Sequence, residues 1–202
     1  KIIYLISPDK IKNTFYSDLE KVLSYKNVKY FQLRLKKYKK NKIKNIAKKI
    51  KKITKKNNIK FIINDSAKIA KIVKADGCHI GQNDGEIKKI RKMINKKILG
   101  VTCHNSREFA KIAIKNKANY LAFGCFFKSR LKPSAVRANL KILRWAKKNT
   151  KKTIVAIGGI DNLNYKKLLK AGAKYIAISS FIWDNANLKP EEAIKKFYEN
   201  YS

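Results

Sequence analysis

The segment Phe31-Gln32-Leu33-Arg34-Leu35-Lys36 alternates apolar side chains with one amide and two cations. In an extended chain, period two places Gln32, Arg34 and Lys36 on one face and the apolar three on the other. If Phe31, Leu33 and Leu35 pack beneath neighbouring elements, the polar three face an interior. Two cations buried there without a counter-charge would be strongly unfavourable, and an anionic ligand would offset that. An edge strand with one wet face is the plainer alternative for these residues taken alone.

Two further polar groups follow apolar runs. Phe61-Ile62-Ile63-Asn64-Asp65 ends in a carboxylate, and so does Gly81-Gln82-Asn83-Asp84 after the next apolar run. A pair of carboxylates beside cations suits Mg²⁺, which takes one or two carboxylates and completes its shell with phosphate oxygens and water. Each Asp alone reads better as the cap of a following helix, and only the pair together favours a metal. Gly158-Gly159 and Ser179-Ser180 come after two later apolar runs, where small residues let backbone N–H groups approach a phosphate.

What must position these groups is a set of short strands separated by amphipathic helices. Eight strands are expected, at Ile2–Ser7, Tyr30–Lys36, Lys60–Asn64, Gly77–Gly81, Ile98–His104, Tyr120–Phe126, Thr153–Gly158 and Tyr175–Phe181. Between them, Asn41–Lys56 carries the clearest helical stripe, with Ile43, Ile46, Ala47, Ile50 and Ile53 at helical spacing and lysines opposite. Asn105 is the expected cap of a helix with Glu108 at its third position. Ala171-Gly172-Ala173 reads as a helix stop, and Pro190-Glu191-Glu192 opens a last helix with carboxylates at its positive end. Strict alternation with eight strands predicts an α/β fold, a single-domain (β/α)₈ TIM barrel spanning residues 1–202, with an open doubly wound sheet as the alternative. On that reading Asp65, Asp84 and the glycines and serines all fall at the strands' C-terminal ends, where such barrels build their sites. The length of 202 residues is short for a barrel and leaves no room for a second domain.

The net charge is +37, which invites a nucleic-acid reading. Only six of the 50 basic residues are arginine. Lysine abundance accompanied by abundant Ile and Asn, all with AT-rich codons, points to composition bias rather than a base-reading surface, which favours the planar arginine fork. No specific nucleic-acid partner and no membrane partner are therefore expected, and the partners read as phosphorylated small molecules. Cys78, Cys103 and Cys125 show no zinc spacing and no disulfide framework. With no secretory pattern and no long apolar stretch, a reducing, cytoplasmic location is expected. The chain begins at Lys1 rather than Met, consistent with a few missing residues. The oligomeric state is not legible.

Gln32-Leu33-Arg34-Leu35-Lys36, Ile63-Asn64-Asp65, His79-Ile80-Gly81-Gln82-Asn83-Asp84, Gly100-Val101-Thr102, Lys132 and Ala156-Ile157-Gly158-Gly159-Ile160 fall in order across nearly the whole chain. Together they resemble the thiamine phosphate synthase and thiazole tautomerase family. The resemblance implies a (β/α)₈ transferase in thiamine biosynthesis. An aminopyrimidine diphosphate loses pyrophosphate, and a thiazole phosphate nitrogen attacks the resulting pyrimidine carbocation. It implies Mg²⁺ held by Asp65 and Asp84. Gln32, Arg34, Lys36, Asn64, Thr102 and Lys132 would bind the pyrimidine diphosphate, with Arg34, Lys36 and Lys132 as the catalytic cations. Ser129, Gly159, Ser179 and Ser180 would bind the thiazole phosphate.

Two departures stand out. Thr102 replaces the usual serine and keeps its hydroxyl. In the loop Lys128-Ser129-Arg130-Leu131-Lys132, Lys128 and Leu131 replace a proline and a threonine, and Leu131 cannot donate to a phosphate. His104 matches a histidine used by the tautomerase but also common in synthases, whereas retention of Asp65 and Asp84 favours the synthase. A tautomerase-like paralogue and a non-catalytic ligand- or nucleic-acid-binding relative remain the alternatives.

Overall fold

The computed structural model describes residues 1–128 and 137–199, the side chains of Tyr198 and Glu199 excepted. The first half runs β1 (Ile3–Ile6), α1 (Phe15–Ser24), β2 (Val28–Leu33), α2 (Lys40–Lys56), β3 (Lys60–Asn64), α3 (Ala67–Ile72), β4 (Gly77–Ile80) and α4 (Ile87–Ile94). The second runs β5 (Ile98–His104), α5 (Arg107–Lys115), β6 (Tyr120–Gly124), α6 (Leu140–Asn149), β7 (Thr153–Ile157), α7 (Tyr165–Ala171) and β8 (Tyr175–Ile178), then α8 (Ser180–Trp183) and α9 (Pro190–Glu199). All eight strands are parallel and each pairs with its sequence neighbours, and β1 closes on β8 with Tyr4 opposite Ala177. The expected single-domain (β/α)₈ barrel is the architecture found.

Closure forces each strand to serve two cores. One face meets the helices: Leu5, Phe31, Leu33, Phe61, Ile63, Val101, Phe123 and Ile176 lie there with Leu19, Ile50, Ala110 and Leu168 of the helices. The other face fills the barrel with Tyr4, Ile6, Ile62, Tyr120, Ala122, Val155, Tyr175 and Ala177, against which Tyr30, Ile98 and Ile157 pack. Bulky rings on alternate strands fill a lumen that eight strands leave just wide enough for side chains. The stripe read on α2 behaves as expected: Ile46, Ala47 and Ile50 are buried while the flanking lysines are not. Pro190 opens α9, and Gly172 caps α7 at φ +121°.

Several boundaries shift from the sequence reading, and three of the shifts bear on the site. β2 ends at Leu33 rather than Lys36, because the chain leaves the sheet once Arg34 reaches the mouth. The eighth strand stops at Ile178, and Ser180–Trp183 turns into a short helix instead of extending to Phe181. The cap of α5 is Ser106, whose Oγ accepts from Phe109 N, so Glu108 is the second helical residue. Asn105 instead accepts from Asn139 N, tying the β5 exit to α6.

Candidate active site

At the C-terminal end of β2, Gln32 points into the barrel, buried, and its Nε2 donates to Tyr4 Oη at 3.2 Å. Phe31, Leu33 and Leu35 lie in the helix-side core, which leaves Gln32 on the lumen face, whereas Lys36 is exposed beyond the end of β2 rather than inside the barrel. Arg34 and Lys36 sit above it at the rim. An N–H of Arg34 donates to Asp9 Oδ1 at 2.9 Å, and Lys36 Nζ stands 3.6 Å from Asp65 Oδ2. Asp9 was not foreseen. It lies in the β1–α1 loop after Pro8, with nothing in its local sequence to link it to Arg34.

Asp65 and Asp84 come together. They follow β3 and β4, which are neighbours in register through Asn64 and His79. Their carboxyl groups lie within hydrogen-bonding reach of each other. Burial, and then the adjacent Asp84, push Asp65 up to about 6 against the pull of Lys36 and Arg34. Neither residue caps a helix. The cap of α3 is Ser66, which accepts from Ile69 N. Asp84 Oδ2 instead accepts from Gly81 N at 2.6 Å, closing its own loop. Asp65 holds φ +62°, a left-handed conformation that Asp tolerates better than most residues, and its N–H donates to His79 O at 2.8 Å. Two carboxylates forced together beside two cations are an arrangement that a divalent cation relieves. Among the described residues no group of three or more His, Cys, Asp and Glu side chains could hold a metal by itself. The pair therefore fits Mg²⁺, which keeps water and substrate oxygens, better than a metal that demands a full protein cage.

Thr102 lies on β5 facing the lumen, and His79 on β4 bridges inward between Thr102 Oγ1, 2.8 Å from Nε2, and Tyr120 Oη, 2.9 Å from Nδ1. Burial pushes this imidazole down to about 4, so it is neutral at physiological pH. Tyr120 also meets Tyr4, hydroxyl to hydroxyl at 2.6 Å. The tyrosines of the lumen went unread as a set, although one stands at an inward position on each of β1, β2, β6 and β8. Gly100 makes room for this cluster, because a Cβ there would fall inside the Tyr120 ring.

Across the barrel, Gly159 holds φ +63° and its Cα abuts the backbone of Phe127 and Lys128, so it is the floor on which the β6 exit rests. Phe127 N–H donates to Gly158 O at 3.0 Å. Ser179 Oγ donates to Ser7 O, and Ser180 begins α8. Asn64 ends β3, partly buried. Ser129 and Lys132, with Arg130 and Leu131, lie outside the described residues. His104 ends β5 exposed, edge-on to Phe109 at 6.4 Å, whereas His79 holds the inward position.

Eight parallel strands with carboxylates, cations and amides at their C-terminal ends define a (β/α)₈-barrel enzyme of the kind that assembles its site from βα loops. The profile of the family described as thiamine monophosphate synthase matches residues 3–182, and the chain belongs to that family. It is 52% identical over 197 residues to a thiamine-phosphate synthase of Pelagibacter ubique, covering 97% of this chain and 95% of the relative. The thiamine-phosphate synthase of Erythrobacter litoralis is 37% identical, covering 90% of this chain and 87% of that protein. Among solved structures, a thiamine phosphate pyrophosphorylase from Pyrococcus furiosus superposes with a TM-score of 0.87 at 26% identity, covering 98% and 94% of the two chains. No described helix is long and apolar enough to cross a membrane.

Proposed function

We propose that the chain performs its family's transferase reaction, thiamine phosphate synthesis, as a Mg²⁺-dependent enzyme whose diphosphate end is built by β2, β3 and β4. The observation that carries this is the convergence of Asp65 and Asp84 with Lys36 and Arg34 at one point of the rim. Asp65 and Asp84 would hold Mg²⁺, which when bound supplies Lewis-acid neutralisation of a diphosphate.

The residues of the chain do the rest. Arg34 and Lys36, now paired with Asp9 and Asp65, turn toward the diphosphate and stabilise the charge that grows on the leaving pyrophosphate. Thr102, Asn64 and Gln32 orient the aminopyrimidine end, and Lys132 adds a further cation. As the carbon–oxygen bond to pyrophosphate breaks, the pyrimidine becomes cationic. The lumen beneath offers it tyrosine rings and a neutral imidazole, whose π faces favour a cation. The thiazole phosphate, held near Gly159, Ser179, Ser180 and Ser129, then delivers its ring nitrogen to the carbocation. No protein nucleophile is needed.

The test is metal dependence. Protein stripped with a chelator and supplied with an aminopyrimidine diphosphate and a thiazole phosphate should be inactive, and added Mg²⁺ should restore turnover. Full activity of the stripped protein would remove Mg²⁺ from the reading.

A further inference from the structure

Five buried or half-buried side chains, one from each of five strands, form one unbroken hydrogen-bonded line across the lumen. It runs from Gln32 Nε2 to Tyr4 Oη at 3.2 Å, to Tyr120 Oη at 2.6 Å, to His79 Nδ1 at 2.9 Å, and from His79 Nε2 to Thr102 Oγ1 at 2.8 Å. Both of its ends are residues assigned above to the pyrimidine diphosphate. Its middle members, Tyr4, Tyr120 and His79, are buried. We propose that Tyr4, Tyr120 and His79 are positioning residues that fix the Thr102 hydroxyl as a hydrogen-bond donor aimed at a diphosphate oxygen. This rests on the reading that Thr102 meets the diphosphate.

The direction of the line follows from counting protons. A neutral imidazole carries one N–H, so one ring nitrogen donates and the other accepts. Gln32 presents its amide nitrogen to Tyr4, so Tyr4 accepts there, and in the proposed sense its own proton goes to Tyr120. Tyr120 then donates to His79 Nδ1. That leaves the imidazole proton on Nε2, donating to Thr102 Oγ1, whose own proton must point elsewhere. A diphosphate oxygen only accepts, so this sense is the one that makes Thr102 useful to it. In the reverse sense Thr102 spends its proton on His79 and turns lone pairs toward an anion. Gly100, opposite His79 in register and two residues before Thr102, keeps the Tyr120 ring in line by having no side chain of its own.

Two measurements decide the proposal. Nitrogen NMR of ligand-free protein labelled at histidine reads the tautomer directly, with the His104→Gln variant separating the two histidines of the chain. The expected signature is a protonated Nε2 and a bare, hydrogen-bonded Nδ1 at His79, changing to mixed tautomers in Tyr120→Phe. Pyrophosphate binding in the presence of Mg²⁺, followed by calorimetry, supplies the second readout. Thr102→Ala and Tyr120→Phe should each weaken it about tenfold, the double variant no more than about tenfold, and Thr102→Ser should retain wild-type affinity.

A protonated Nδ1 in the wild type would overturn the proposal. So would independent, multiplying effects of the two substitutions, which is what a purely structural Tyr120 would give. Neither readout uses turnover. A protein that makes no thiamine phosphate but shows the coupled pair would fail the functional reading and keep this one.

Discussion

His79 is a buried base held neutral, and its neutrality ties stability to pH in a calculable way. An exposed histidine protonates near 6.5, while burial lowers His79 to about 4. Between those values the unfolded chain binds a proton that the folded one refuses, so the unfolded state gains as pH falls. The contribution is fully present above about pH 6.5 and is lost progressively down to about pH 4. A gap of about 2.5 pH at 1.36 kcal/mol each gives about 3 kcal/mol. No discount for solvent applies, since the ring is buried with both nitrogens bonded to buried or half-buried hydroxyls. Urea denaturation at pH 7 and pH 4.5 would measure the change in the wild type and in His79→Gln, which keeps a polar side chain of similar reach without the titration. The carboxylates contribute equally to both proteins, so the difference isolates His79. The wild type should lose about 2–3 kcal/mol more than the variant over this interval. Equal losses would mean that His79 is charged or solvated in the fold, and the neutral hydrogen-bonded line across the lumen would fall with it.

Other substitutions probe other parts of the site. Asp65→Asn keeps size and tolerance for the left-handed backbone while deleting one charge, and should abolish Mg²⁺-dependent turnover with thermal stability unchanged or raised; unaltered activity would take Asp65 out of the metal site. Gly100→Ala drives a methyl into the Tyr120 ring and should destabilise the fold by about 1–3 kcal/mol, read by denaturant titration, with a neutral result contradicting the packing described. Retention on duplex DNA by a protein of net charge +37 should vanish between low and physiological salt; retention that survives and depends on sequence would establish a nucleic-acid partner.

The sequence showed the barrel because its periodicity is repeated eight times, and β3 and β5 fall where the apolar runs begin and end. Gln32, Arg34 and Lys36 announced themselves by polarity in an apolar run. Asp65 and Asp84 were legible as strand-end carboxylates. That they come close enough to raise Asp65, and that Ser66 rather than Asp65 caps α3, needed three dimensions. The end of β2 was misplaced because alternation continues in the sequence after the sheet's hydrogen bonds stop, and that of β8 because Ser180–Trp183 turns at once into a short helix. The lumen was the part least visible. Tyr4 and Tyr120 are 116 residues apart and look like ordinary apolar strand residues. Only barrel closure brings their hydroxyls to each other and to His79. The Asp9–Arg34 pair was hidden for the same reason, since a loop aspartate carries no local mark of its partner.

The most direct test of the whole account is product formation. The purified chain, given Mg²⁺, 4-amino-2-methyl-5-(diphosphooxymethyl)pyrimidine and a thiazole phosphate, should yield thiamine phosphate and pyrophosphate in equal amounts, with no product when either precursor is left out. Intact precursors after prolonged incubation with folded, metal-loaded protein would contradict it.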